Sequence, residues 1–284
     1  MLKYWMAWVV FLYFGGCSPL PLLNVLSDSN GYRLTADIAY GALPKQKLDV
    51  YVPREKSGEP RPVVVFFIGG RWTENTRKDF FFVAEALTSS GCVVVVPDVR
   101  LYPAARFPTF VEDGARAVTW AHEHAAEFGG DRQRLFLMGY SSGAQIASML
   151  TVNARYLAEA GGDRGWIRGF IGVAGPYDFL PPKPEEKDLQ DIFGPPARYP
   201  EAEPVNFVDG RQPPMLLLQG RADVTVNPKN SQWLAEKVDE KGGRVRVIYY
   251  DKVDHYRIIG GMSRVLRGWA PTLEDVIAFI RERQ

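Results

Sequence analysis

The most constraining feature of the chain is a set of short apolar runs that do not alternate with polar residues. Val63-Val64-Val65-Phe66-Phe67-Ile68 is continuous, and so are Val93–Val96, Leu135–Met138 and Met215–Leu218. Continuous β-branched runs mark strands covered on both faces, as in parallel sheets held between helix layers. Phe170–Val173 and Val245–Tyr250 add two further strands. Thr35–Tyr40 and Lys47–Val52 precede the set, the second alternating Leu48, Val50 and Val52. Helical stretches are predicted near 79–88, 109–128, 142–158, 229–241 and 272–283. Thr109 and Glu112, just after Pro108, have the spacing of a capping box. Strands that alternate with helices imply βαβ crossovers. The expected fold class is therefore α/β, with a mostly parallel central sheet flanked by helices. Residues 180–214, rich in proline, interrupt the alternation and read as a surface insertion in one domain spanning 35–284.

The beginning of the chain reads differently. Residues 1–16 hold one charge, Lys3, and an unbroken apolar run from Tyr4 to Phe14. Eleven residues are too few to span a bilayer, which needs about 20 in a helix. They fit the apolar core of a secretory signal. The run ends in Phe14-Gly15-Gly16-Cys17, which resembles the bacterial lipoprotein signal, in which the cysteine is lipidated. The expectation is a signal at 1–16, a lipidated Cys17 and a tether over 17–34, giving an exported, membrane-anchored cell-envelope protein. An uncleaved anchor, or an ordinary signal releasing a periplasmic or secreted protein, is the alternative.

Composition narrows the functional classes. Lys plus Arg total 34 and Asp plus Glu 33, a net charge of +1. Nucleic-acid binders usually carry a basic surplus, so that class is disfavoured. There are two cysteines, Cys17 and Cys92, and three histidines, His122, His124 and His255. Two cysteines build neither a disulfide scaffold nor a four-cysteine zinc site. Cys92 lies in the run Gly91–Val96 and reads as a small core residue. His122-Glu123 is followed by Ala126, not histidine, so H-E-x-x-H is not formed. His122 and His124 read as solvated residues of a polar helix.

Gly139-Tyr140-Ser141-Ser142-Gly143 stands between the strand Leu135–Met138 and a helix. This is G-x-S-x-G in the strand–turn–helix setting it requires. The turn is sharp and crowded, so glycine is expected to be the residue that fits at 139 and 143. Ser141 is thrust up with its hydroxyl free. A serine hydroxyl needs a base, and the base needs an orienting carboxylate. In this setting the chain order is Ser, Asp or Glu, then His, each just after a strand. Asp223 follows Met215–Leu218, and His255 follows Val245–Tyr250. Asp251 and Asp254 are rivals for the acid. The oxyanion of an acyl-transfer intermediate needs N–H donors. Ile68-Gly69-Gly70-Arg71-Trp72 ends a strand with adjacent glycines, so the N–H groups of Gly70 and Arg71, with that of Ser142, are the candidate donors.

Taken together, these motifs resemble the α/β-hydrolase esterase/lipase group that includes hormone-sensitive-lipase-like esterases and shorter carboxylesterases. The matching residues are Ile68–Trp72 (family H-G-G-x-W), Pro97-Asp98-Val99-Arg100-Leu101 (family D-Y-R-L), Phe107-Pro108 with Glu112-Asp113, Glu127–Asp131, the serine elbow, Gly220–Asp223 and His255. They run in family order over residues 46–283. The resemblance implies a serine esterase with a Ser141–Asp223–His255 triad and neither cofactor nor metal. Ile68 replaces the family histidine and Val99 the usual tyrosine, so altered loop rigidity is expected rather than lost catalysis. The span 18–34 is too short for the helical N-terminal cap of hormone-sensitive-lipase-like members. A fairly open site is expected, shaped by the insertion, with Gly69, Trp72 and Tyr140 against the substrate. The expected substrate is an ester of a small to medium acyl group, possible carriers including an envelope glycan. An amidase, formamidase or peptidase using the same triad, or a ligand-binding lipoprotein on a hydrolase fold, are the competing readings.

Overall fold

The computed structural model describes residues 23, 24 and 31–283. The expected signal and Cys17 lie outside the described residues. β1 (Tyr32–Ala39), β2 (Lys47–Pro53) and β3 (Arg61–Phe67) lead to α1 (Phe81–Ser89) and β4 (Val93–Pro97). Then come α2 (Thr109–His124), β5 (Gly130–Tyr140), α3 (Ser142–Val152), α4 (Ala154–Glu159) and β6 (Ile167–Val173). After β6 the chain makes α5 (Lys187–Phe193) and α6 (Tyr199–Ala202), then β7 (Met215–Gly220) and α7 (Lys229–Glu240). It ends with β8 (Val245–Tyr250), α8 (His255–Gly260) and α9 (Thr272–Glu282).

The strands form one 8-stranded sheet in the order β1-β2-β4-β3-β5-β6-β7-β8. β2 pairs antiparallel with both neighbours and every other pairing is parallel. The continuous apolar runs are explained by helices on both faces. Val63, Val65, Phe67, Leu135 and Leu137 pack toward α2, α3 and α7. Val64, Phe66, Phe136 and Met138 pack toward α1, α8 and α9. A strand with a wet face would show the period of two instead.

This order also fixes where a site can form. β3 lies between β4 and β5. The chain therefore leaves β3 toward one side and returns on the other. At such a reversal a crevice opens beyond the carboxyl ends of the strands. Ile68–Trp72 follow β3 and Ser141 follows β5, one on each side of that reversal.

The ends of elements depart from the sequence reading where the side-chain signal is weak. β1 starts at Tyr32, three residues early, because it is an edge strand exposed along most of its length and carries no apolar rhythm. Its anchor is Tyr32, whose ring lies 5.5 Å from those of Tyr51 and Phe81. Nor is the whole of 17–34 a free tether. Leu23 is buried, and Asn24 donates to the carbonyls of Lys78 (2.8 Å) and Asp79 (3.1 Å). The capping box at Thr109 does not form. Thr109 is already helical with Pro108 in the cap position, and its N–H donates to the Arg106 carbonyl at 2.8 Å. The helix expected over 142–158 breaks at Asn153, which is extended and accepts the Arg155 N–H.

Two buried ion-pair networks hold the loops beneath the crevice. Arg77 is paired with Asp49 at 2.7 Å and with Asp37 and Asp98. Burial pushes the Asp98 carboxyl up, against the pull of that guanidinium. Arg100 makes a two-pronged contact to Asp113 at 2.8 and 2.7 Å, and Gln46 donates to the same carboxylate at 2.8 Å. Asp98 and Arg100 of the first motif and Asp113 of the second are thus tied into the fold. Breaking such a buried pair costs about 3–5 kcal/mol because a charge is left uncompensated.

Candidate active site

β5 delivers Ser141 at its carboxyl end with φ +53° and ψ −125°. Few L residues occupy that conformation, which costs roughly 1–3 kcal/mol. The two flanking glycines are what make it possible. A Cβ on Gly139 would strike the backbone of Gly143 and Ala144, and one on Gly143 would strike the carbonyls of Phe67 and Ile68. The start of α3 thus presses against the end of β3, and Ser141 stands at the contact, partly exposed.

His255 Nε2 lies 3.0 Å from Ser141 Oγ, and His255 Nδ1 lies 2.8 Å from Asp223 Oδ2. The carboxylate accepts the Nδ1–H, which leaves Nε2 free to accept from the serine hydroxyl. Asp223 is held from the rear. Its Oδ1 accepts the N–H groups of Thr225 (2.9 Å) and Val226 (2.8 Å), and its Oδ2 accepts from Gln219 Nε2 at 3.2 Å. Both His255 and Asp223 are only 4 % exposed. The rivals for the acid are occupied elsewhere. Asp251 pairs with Arg221 at 3.0 Å. Asp254 caps α8 by accepting the N–H groups of Tyr256 and Arg257. His255 is consequently the first residue of a short helix.

The loop after β3 curls tightly. Gly70 has φ +147°, and Arg71 and Trp72 follow at +53° and +61°. The Gly70 carbonyl accepts the N–H groups of Thr73 and Glu74. The N–H groups of Gly70 and Arg71 meet no acceptor among the described residues. Ser142 opens α3, so its N–H has no partner within the helix. Gly69 lies close to Ser141: a Cβ there would come within 3.2 Å of Ser141 Cβ.

Trp72 and Tyr140 do not sit at the mouth of the crevice. Tyr140 is buried under the histidine, its ring 5.1 Å from the imidazole, and its hydroxyl donates to the His255 carbonyl at 3.0 Å. Burial pushes its phenol well up. It packs beneath His255 and holds that residue's backbone carbonyl. Trp72 is buried as well, stacked on Phe179 at 5.5 Å and edge-on to Phe193 at 4.9 Å. Its indole N–H donates to Gln145 Oε1 at 3.2 Å, and Gln145 Nε2 donates to the Ala202 carbonyl at 2.8 Å. Glu203 accepts the N–H groups of Phe179 and Leu180, and burial pushes its carboxyl up.

The sequence reading missed Gln145 and Gln219. The available signal was a glutamine inside an apolar element: Gln145 in the wholly buried α3, and Gln219 closing the apolar β7. His122 and His124 are not simply solvated. His122 stacks on Trp166 at 3.7 Å, and burial lowers its pKa. His124 stacks on Trp120 and bonds Glu127. Among the described residues no cluster suited to a metal ion is found.

Sheet order, elbow and loop define an α/β-hydrolase of the serine esterase group. Within it the chain belongs to the BD-FAE family, which residues 48–238 match. A probable isoprenylcysteine alpha-carbonyl methylesterase of Arabidopsis thaliana is 28% identical over 267 residues, 86% of this chain and 55% of its own length. Esterase LipC of Mycobacterium tuberculosis is 28% identical over 218 residues, 71% of this chain and 54% of its own length. The chain thus spans little more than half of these curated relatives. A truncated carbohydrate esterase from gut microbiota superposes with a TM-score of 0.76 at 19% identity, over 90% of this chain and 98% of its own. That likeness is one of fold.

Proposed function

We propose that this chain hydrolyses carboxylic esters through an acyl-enzyme on Ser141. The observation that carries the reading is the continuous hydrogen-bonded row Ser141–His255–Asp223, at 3.0 and 2.8 Å, beside a loop with free N–H groups. Ser141 Oγ attacks the ester carbonyl carbon while His255 Nε2 takes its proton. The negative oxygen of the tetrahedral intermediate faces the N–H groups of Gly70, Arg71 and Ser142. His255 then gives its proton to the departing alcohol, leaving the acyl group on Ser141. A water deprotonated by His255 attacks that acyl carbon, and the acid leaves as Ser141 recovers its proton. Asp223 keeps the imidazole in the required tautomer throughout. The named curated relatives are a methylesterase and an esterase, which favours an ester over an amide. The cavity behind the loop, lined by Phe67, Gly69, Trp72, Val99 and Ser142, holds about 20 Å³. That is room for a water molecule or two, and neither Ser141 nor His255 lines it, so the small to medium acyl group of this proposal would lie in the open crevice in front of the loop.

The test is a fluorophosphonate label followed by turnover of p-nitrophenyl acetate and a matching anilide. Wild type is expected to label at Ser141 and to prefer the ester, while Ser141→Ala loses the label and roughly 10⁴–10⁶-fold in kcat. An unlabelled wild type defeats the reading, and faster anilide turnover makes the chain an amidase.

For location we propose export and a lipid anchor at Cys17, on the strength of the apolar run Tyr4–Phe14 and the Gly15-Gly16-Cys17 junction. In a bacterial host the protein is expected in the membrane fraction and Cys17→Ser in the soluble fraction. Equal fractionation of the two removes the anchor.

A further inference from the structure

The insertion between β6 and β7 is joined to the β3 loop by two adjacent side chains of unlike character. Trp72 points inward and is wedged between Phe179 and Phe193. Arg71 points outward. Its Nε lies 2.7 Å and its Nη2 3.1 Å from the two oxygens of Asp188, and Nη2 lies 3.3 Å from Glu186 Oε1. Glu186 is itself fixed, since its other oxygen accepts the Lys183 N–H at 3.0 Å. The Arg71 hydrogen bond holds the Asp188 carboxyl below its usual range.

We propose that the Arg71 side chain is a latch that keeps the oxyanion loop in its donor geometry by tying it to the proline-rich insertion. The reason lies in the backbone. Arg71 has φ +53°, a region that residues bearing a Cβ avoid. Inside the loop the Gly70 carbonyl accepts the Thr73 and Glu74 N–H groups and the Gly69 carbonyl accepts Asn75 Nδ2, which leaves the Arg71 side chain as the outer tie that offsets the strain at its own φ. Relaxation of Arg71 to negative φ would rotate the adjoining peptide planes and turn the free N–H groups of Gly70 and Arg71 away from Ser141. Trp72 is anchored by buried packing and cannot readily let go. The Arg71 contact is 42 % exposed on the arginine side, so it is the releasable one of the two. A forked arginine–carboxylate contact with a second acid behind it is the geometry in which a surface pair does hold position. Arg71 thereby acts in two ways: its N–H as an oxyanion donor, and its side chain as a positioning group that makes turnover depend on where the insertion sits.

This rests on the esterase reading given above, and the experiment separates the two. Wild type, Arg71→Ala, Arg71→Gly, Asp188→Asn and the Arg71→Ala/Asp188→Asn pair are compared on p-nitrophenyl acetate, with thermal melts to verify folding. Arg71→Ala and the isosteric Asp188→Asn are each expected to lose about 10-fold in kcat, with KM within about twofold, a fraction of what a deleted oxyanion donor costs. The double variant is expected to be no slower than Arg71→Ala, because both changes open one latch. Arg71→Gly is expected to recover at least about threefold over Arg71→Ala, since glycine accepts positive φ without a tie. A merely structural salt bridge would move the melting temperature and not produce this glycine rescue. Wild-type kcat in Arg71→Ala, losses that multiply in the double variant, or Arg71→Gly no faster than Arg71→Ala overturns the latch. A wild type without label or turnover overturns the esterase reading, and the latch with it.

Discussion

Ser141 concentrates the cost of this fold in one residue. Its φ of +53° is imposed by β5 on one side and α3 on the other. Replacing it with alanine removes the hydroxyl but keeps the Cβ and the strain. Replacing it with glycine removes both. Ser141→Gly is therefore expected to melt about 2–4 °C above Ser141→Ala, which corresponds to about 1 kcal/mol in a domain of this size. Both variants lack the Ser141 hydroxyl, so the difference isolates the backbone. Equal melting temperatures would show that the elbow is unstrained. The elbow was legible from the sequence because its chemistry is written in consecutive residues, Gly139 to Gly143. Asp223 and His255 were legible because chain order and the preceding strands place them. Tyr140 was not. A tyrosine beside the nucleophile points to substrate as readily as inward, and only the contact with the His255 carbonyl 115 residues away decides it.

At the scale of elements, buried regularity was readable and edges were not. The strands covered on both faces announce themselves because every residue must be apolar, as in Val63–Phe67. β1 pairs through its backbone and faces water, so its side chains carry little of the signal that places it. The insertion is the instructive case. Its prolines mark it as irregular, and that much holds: its helices are short. Yet it is not merely a surface excursion. Leu189, Ile192, Phe193 and Ala202 are buried in the same core as the helices on one face of the sheet. Phe107 N–H donates to the Ile192 carbonyl, and Tyr102 and Arg106 reach Asp191. A segment tied down at so many points is an integral part of the domain. Composition reports the turns in such a segment and cannot report which of its few apolar residues find the core.

The molecule as a whole begins before its first strand. Asn24 donates to the carbonyls of Lys78 and Asp79 and accepts the Phe82 N–H at 3.1 Å, so it ties the start of α1. Leu23 is buried beside it. Burying a leucine contributes about 1.5–3 kcal/mol and each hydrogen bond about 0.5–1.5 kcal/mol net. Part of that is offset by the entropy of ordering the stub. A chain beginning at Gly31 is expected to melt roughly 5–10 °C below one beginning at Cys17. Phe80 lies between the tied residues and touches Tyr140 at 5.8 Å, which gives the stub a path toward the support of His255. Phe80 also packs on Phe66 and Phe82 and is fully buried, so the core holds it without the stub. Turnover at 25 °C is accordingly expected to stay within about twofold in the shorter chain, since the core position it depends on is unchanged. Equal melting temperatures would show that residues 23 and 24 contribute nothing. A large loss of kcat below the melting range would show instead that the stub carries the histidine. The docked stub also shortens the leash from Cys17. Five residues separate Cys17 from Leu23, six Cα steps with a reach of about 20 Å when extended. With the lipid proposed at Cys17, the domain is expected to lie close to the membrane surface.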